Sequence, residues 1–267
     1  MPLVHDIQNS LADTSVCPQA VKHETDSKMF SSIVDTAAAV YCAVAAATQQ
    51  AAAGGGCFPR GAVLFNSDGY FQRISNISVG ENFLGANEKG EPVYSDVVYL
   101  PHLANKMLST FIQLETESGE TLRLTESHIL PISTSCTLDG PPLAVSTLKQ
   151  AHEVRVNDCV YVNQYQGMTG ANGELRDAQL IPSRIVNVSS VLDIGLYTAV
   201  TQAPFLILNG VLASPFEYDH NAAHTFYNIH RQAYNIGSGI VEGPWLRAFT
   251  NTAGDIAAAY ISASGPK

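Results

Sequence analysis

Three textures of apolar and polar positions follow one another along the chain. Residues 1–28 are polar and unpatterned; Met29 to Ala53 is then dominated by alanine, a strong helix former, until Gly54, Gly55 and Gly56 end it. This pattern predicts a tail, a helix over 29–53 and a flexible hinge. From Cys57 the pattern changes to short β-type runs separated by turn signals such as Asn66-Ser67-Asp68-Gly69 and Asn87-Glu88-Lys89-Gly90. Strands are predicted over 61–65, 79–85, 93–100, 110–116, 120–125, 154–163, 182–192, 195–201 and 204–209, the spacing of a compact all-β unit. After Pro215 the texture shifts again, and 219–231, rich in aromatic and imidazole side chains, reads as a helix broken by Gly237, Gly239, Gly243 and Pro244. The last stretch, with Trp245, Leu246 and Phe249, reads as a second apolar helix or a partner-binding tail.

An approximate internal repeat runs through the β region. Ile77 to Leu84 resembles Val154 to Tyr161, each an apolar pair, a turn with an acid and a second strand, and 111–128 resembles 196–212. The second similarity sets Thr125 opposite Asn209 and His128 opposite Leu212. Two hairpin-like halves are therefore expected to face one another about a pseudo-two-fold axis, with the histidine in one half alone.

Composition narrows the partners. Only 14% of the 267 residues are charged, against about 25% in ordinary soluble domains, while 46% are apolar, which suits a β-rich chain. A formal charge of −10 with no Lys/Arg cluster opposes phosphate backbones, so nucleic acid is excluded as a partner. Cys17, Cys42, Cys57, Cys136 and Cys159 form an odd set without CxxC spacing, which points to neither a zinc ribbon nor a dense disulfide framework and leaves one thiol over for chemistry. Cys159 reads as core filler, and Cys17 and Cys42 as either paired or free. His220, His224 and His230 are spaced by four and six, which does not put all three on one helical face, so no metal or other cofactor is expected. No apolar run reaches the ~18 residues needed to span a bilayer, and Asp6, Asp13, Glu24 and Asp26 stand where a signal peptide would be basic and then apolar. Asn76-Ile77-Ser78 and Asn187-Val188-Ser189 match the glycosylation acceptor pattern, a weak pointer to a secretory route.

The chemistry concentrates at Gly54-Gly55-Gly56-Cys57-Phe58-Pro59, read with Thr125-Glu126-Ser127-His128. A thiol can attack the carbonyl that precedes its own residue through a five-membered ring, provided some group protonates the departing amide nitrogen. Glycine before the cysteine lets the backbone bend toward the thiol at little steric cost. His128 is the candidate acid.

Together these residues resemble the Hint domain, the autoprocessing module of hedgehog proteins and inteins, and 56–214 matches the hedgehog branch. Gly56-Cys57-Phe58-Pro59 matches the cleavage junction, Ile77 to Glu81 and Val93 to Val97 match early strands, Thr125-Glu126-Ser127-His128 matches the Thr-x-x-His signature, and Leu208 to Ser214 matches the final strand. The resemblance implies an all-β Hint fold and a single-turnover, cysteine-dependent cleavage of the Gly56-Cys57 bond by an N-to-S acyl shift. Cys57 is then the nucleophile, His128 the acid and Thr125 the hydrogen-bonding group at the scissile bond. Residues 1–56 become the released segment, 57–214 the Hint domain and 215–267 an acceptor-recognition region able to contact membrane.

The resemblance also separates splicing from cleavage. Inteins end their last strand in His-Asn followed by Cys, Ser or Thr, whereas Ala213-Ser214 stands here, and the pair His220-Asn221 is followed by Ala222. Splicing is therefore disfavoured, and an outside nucleophile, a sterol or other alcohol, water or a thiol, is expected to resolve the thioester. Hedgehogs activate cholesterol with an aspartate just after the strand at 93–100; this chain has His102, in Leu100-Pro101-His102-Leu103, as in warthog- and groundhog-type proteins. A neutral imidazole with a pKa of ~6.5 can still accept a proton from an alcohol or water. By resemblance the protein is expected to be a monomer of the secretory pathway or the extracellular space. The rival readings are intein-like splicing and an inactive Hint scaffold that binds a lipid or protein through its C-terminal region.

Overall fold

The computed structural model describes residues 57–101, 107–137, 143, 146–165, 178–217, 220–237 and 243. The helix expected over 29–53, Cys17, Cys42, Gly56, His102 and the stretch containing Trp245, Leu246 and Phe249 lie outside the described residues.

Among the described residues thirteen strands join in one antiparallel system: β1 Val63–Phe65, β2 Phe71–Arg73, β3 Asn82–Ala86, β4 Pro92–Tyr99, β5 Leu108–Thr116, β6 Thr121–Leu124 and β7 Ile129–Ser133, then β8 Ser146–Gln150, β9 Cys159–Tyr165, β10 Ala178–Ile194, β11 Val200–Thr201, β12 Phe205–Leu208 and β13 Val211–Ala213. The all-β class expected from the sequence is the class observed.

The pairing order is β11-β4-β3-β12-β13-β9-β10-β5-β6. It is symmetric about the tight β12–β13 hairpin: β4 lies between β3 and β11 just as β10 lies between β9 and β5. This is the two-half arrangement anticipated from the repeat. The repeat also equates Thr125 with Asn209, and both side chains grip the N-terminal segment. Asn209 Oδ1 accepts the Val63 N–H at 2.8 Å, and Thr125 Oγ1 accepts the Cys57 N–H at 3.0 Å.

Burial explains which strands are visible in the sequence. β12, Phe-Leu-Ile-Leu, is buried at every position and reads as a continuous apolar run. β6, Thr-Leu-Arg-Leu, alternates, with Leu122 and Leu124 buried and Thr121 and Arg123 only partly so. β7 was not predicted because Pro131 interrupts it; in the structure Pro131 pairs with Leu148 of β8 in a completely buried strand. The strand predicted over 154–163 begins only at Cys159. Before it Arg155 to Asp158 form a turn in which Asp158 accepts the Arg155 N–H and Asn157 takes a positive φ of 77°. The run 195–201 shortens to β11 because Tyr197 pairs instead with Phe58.

Phe58, Leu64, Phe83, Leu114, Leu130 and Leu206 belong to the main core, which fills the space between the two halves. The single helix expected over 219–231 is two helices, α1 His220–Phe226 and α2 Asn228–Ile236, the second ending at Gly237. Ala223 and Phe226 of α1, Tyr227 at the junction and Ala233 of α2 pack with Val98, Tyr99, Val200 and Phe216. Cys159 is more than core filler, since it forms a disulfide with Cys136 across a sequence separation of 23. An odd count with no recurrent spacing carried no signal for that pair. Among the described residues no helix is long and apolar enough to cross a membrane, and no cluster of three or more His, Cys, Asp or Glu could hold a metal.

Candidate active site

Cys57 enters the fold on a short segment held from both sides. The next residue, Phe58, exchanges both backbone hydrogen bonds with Tyr197, at 2.8 and 3.0 Å, and Arg60 N–H donates to Ile194 O at 2.9 Å. Gly195 makes room for this strand partner. It sits at φ +89°, and a Cβ there would lie 2.4 Å from the Tyr197 ring, so neither the backbone nor the space admits a side chain.

On the other side Thr125 holds Cys57 twice. Its hydroxyl oxygen accepts the Cys57 N–H at 3.0 Å and its own N–H donates to the Cys57 carbonyl at 3.0 Å. The Cys57 nitrogen is the amide nitrogen of the Gly56-Cys57 bond. Thr125 sits just past β6, and the turn that follows closes with His128 N–H donating to Thr125 O at 3.1 Å. The spacing of three residues in Thr-x-x-His is thus that of one tight turn, which brings both side chains to the end of β6.

His128 is completely buried, with its ring 4.3 Å from that of Phe58. Its Nε2 lies 2.5 Å from the carbonyl oxygen of Ser214. A backbone carbonyl can only accept, so Nε2 carries the ring hydrogen and Nδ1 the lone pair. Nδ1 is buried and has no hydrogen-bond partner among the described residues. Burial lowers the His128 pKa to about 4, only partly offset by the hydrogen bond to Ser214, and the ring is neutral near pH 7. Burial pushes the Cys57 thiol well above its ordinary pKa, and the Glu217 carboxylate adds to the shift. The thiol is therefore protonated at rest.

Contacts that the sequence pattern does not announce complete the site. Ser214 links its parts: its carbonyl meets His128, while its hydroxyl accepts the Phe216 N–H at 3.0 Å and lies 2.7 Å from His220 Nδ1. Glu217 pairs across strands with His128 and accepts a hydrogen bond from Ser127 on Oε2. Ser127 and Glu217 are 90 residues apart, and no local pattern announces their contact. Beside His220 a cleft of about 430 Å³ opens, walled in part by Leu143, Leu148, Phe205, His220 and His224.

Of the residues singled out from the sequence, Cys57, Thr125 and His128 thus meet at one buried place. Gly56 and His102 lie outside the described residues.

The model of the Hint module matches residues 45–253, most of the chain. The chain belongs to the Hint family of self-processing modules. Among its relatives are the hedgehog proteins of Drosophila pseudoobscura pseudoobscura, 27% identical over 175 residues, and of Drosophila melanogaster, 24% identical over 175 residues. The aligned part is 66% of this chain but only 33% and 34% of those proteins. Among solved structures, the Ssp DnaB mini-intein variant M86 covers 61% of this chain and 95% of its own, at 12% identity and a TM-score of 0.47. The gp41-1 intein covers 60% and 98%, at 17% identity and a TM-score of 0.40.

Proposed function

We propose that the chain cleaves its own Gly56-Cys57 bond and passes the N-terminal segment to an outside nucleophile. The observation that carries this reading is the hydrogen bond from the Cys57 N–H to Thr125 Oγ1, beside a buried His128 whose Nδ1 has an open lone pair. Cys57 Sγ attacks the Gly56 carbonyl carbon, an S–C bond forms, the C–N bond breaks, and one proton moves from sulfur to the Cys57 nitrogen. Amide resonance opposes this step. Holding thiol and carbonyl in contact supplies up to ~7–11 kcal/mol, and a placed proton donor adds about 10²–10⁴-fold. His128, once protonated at Nδ1, is that donor. Thr125 fixes the amide nitrogen so that its developing lone pair is held in place.

The thioester is then resolved by a sterol or other alcohol, water or a thiol. Ala213-Ser214 at the end of β13 favours such transfer over splicing, since no asparagine stands there to cyclise. The hedgehog relatives and the partly apolar cleft beside His220 favour an apolar alcohol bound by the region 215–267, with His102 as the base that deprotonates it. On this reading the functional units are 1–56, 57–214 and 215–267, the protein acts as a monomer, and it matures on the secretory route, where the Cys136–Cys159 disulfide would persist.

The test is incubation of the full chain with dithiothreitol or with a labelled sterol. Release of residues 1–56 by the thiol, lost in Cys57→Ala, supports the acyl shift, and cleavage of Cys57→Ala at the unmodified rate rejects it. Label on Gly56 identifies a sterol acceptor; thiol release without label rejects the sterol while leaving the cut intact.

A further inference from the structure

Glu217 takes no part in the reaction as described, yet its surroundings are those of a reacting group. It is 2% exposed, and its Oε1 has no hydrogen-bond partner among the described residues. The Ser127 hydroxyl holds Oε2 and so fixes the carboxyl orientation. Glu217 and His128 are directly opposed in an antiparallel bridge, with Ile129 N–H donating to Phe216 O at 3.1 Å. That pattern is the non-hydrogen-bonded kind of pair, in which the two side chains share a face and approach most closely. The two unpartnered buried atoms, a carboxyl oxygen on Glu217 and the lone-pair nitrogen Nδ1 on His128, thus belong to one cross-strand pair. They do not bond each other as the structure stands, and a small approach of the two side chains would let them share one proton.

We propose that Glu217 is the proton acceptor for the Cys57 thiol and passes that proton to His128 Nδ1 for delivery to the departing amide nitrogen. This rests on the acyl shift proposed above. As sulfur bonds to the Gly56 carbonyl carbon, its proton goes to the Glu217 carboxylate. The carboxylic acid then protonates Nδ1, and the imidazolium gives the proton to the Cys57 nitrogen as the C–N bond breaks. One proton leaves sulfur and one arrives at nitrogen, and Glu217 and His128 end as they began.

Electrostatics explain why such a group is needed. A buried thiolate beside an ionised Glu217 would place two negative charges together, whereas transfer of the thiol proton to Glu217 removes one of them as sulfur attacks, and when the carboxylate is restored the imidazolium offsets it, so the net charge stays at minus one. Glu217 is held near a pKa of about 7, raised by burial and lowered by the Ser127 hydrogen bond, so it can both take and release a proton near neutrality. Among the described residues the Cys57 thiol on the incoming segment and neutral His128 before β7 face it, and the Tyr227 phenol ahead of α2 interacts in turn with Cys57. Burial, Tyr99 and Cys57 all raise the Tyr227 pKa, so it stays protonated.

The test follows dithiothreitol-dependent cleavage of the full 267-residue chain between about pH 5.5 and 9, with circular dichroism as a check on folding. The unmodified chain is expected to gain rate through an inflection near neutrality. Glu217→Gln should cleave about 10²-fold more slowly on the alkaline side and lose that inflection, its rate then climbing with thiol ionisation. Ser127→Ala removes the hydrogen bond that lowers the Glu217 pKa and should move the inflection to higher pH. That shift decides the matter should Glu217→Gln fail to fold. Glu217→Gln cleaving within about threefold of the unmodified chain with the same profile, or an unshifted inflection in Ser127→Ala, overturns the proposal. If that happens while Cys57→Ala and His128→Ala lose cleavage, the acyl shift stands without Glu217. A chain that never releases residues 1–56 under thiol sinks both.

Discussion

The hydroxyl oxygen of Thr125 accepts a hydrogen bond from the backbone N–H of Cys57 at 3.0 Å, and the Thr125 N–H returns one to the Cys57 carbonyl at the same distance. A side chain 68 positions away thereby fixes the nitrogen of the bond to be broken. Thr125→Val keeps the shape and removes the oxygen. The loss of one hydrogen bond, worth about 0.5–1.5 kcal/mol, should slow thiol-induced cleavage about tenfold. Thr125→Ser should recover most of the rate, and gel quantification of released product measures both.

His128→Gln is expected to lose about 10²–10⁴-fold in cleavage rate, the range of general acid–base assistance. Glutamine can still donate to the Ser214 carbonyl, so the melting temperature should fall much less than the rate. A variant that cleaves normally would remove His128 from the reaction.

Acid should destabilise the fold through its buried imidazoles. The pKa of His128 is lowered in the folded chain from about 6.5 to about 4, so its neutral form contributes stability above pH 6.5 that disappears as pH falls through 4. At about 1.4 kcal/mol per pKa unit, protonating His128 alone costs on the order of 3 kcal/mol. His220 and His224 shift in the same direction, to about 3 and about 4, chiefly through burial. Glu217 acts oppositely, contributing stability below about pH 4.5 that is lost as pH rises through about 7. Urea midpoints between pH 4 and 8 should therefore fall on the acid side and fall less in His128→Gln; equal acid sensitivity would contradict the assignment.

Cys159→Ser removes the tie to Cys136 and a closed loop spanning 23 positions, which should cost about 3 kcal/mol. Reductant should lower the denaturation midpoint of the unmodified chain and leave that of Cys159→Ser unchanged. The same comparison separates the thiol's attack on the thioester from its effect on the fold.

Much of the β architecture was legible because strands such as β12 and β6 carry their burial in their side-chain pattern, one continuous and one alternating. β7 was not legible. Pro131 disguises it, and only its pairing with β8 and β9 makes it a buried strand. In the site, Cys57 and His128 could be read from the junction and the chemistry it requires, and Thr125 from the resemblance of its Thr-x-x-His run to the Hint signature. Ser214 and Glu217 could not, because serine and glutamate are ordinary near a strand end and acquire meaning only from what folds against them.

Short-range periodicity and spacing alone pointed to the all-β class and the doubled arrangement, the Gly56-Cys57 junction pointed to Cys57 and His128, and Thr125 entered through the resemblance to the Hint signature. The tertiary structure decided the ionisation of that site and its wider membership. Burial keeps His128 neutral and the Cys57 thiol protonated, and the crossing of β13 past the Thr125 turn brings the Ser214 carbonyl to Nε2 and Glu217 opposite His128. Desolvation and long-range pairing are properties of the packed chain, so no window of sequence contains them.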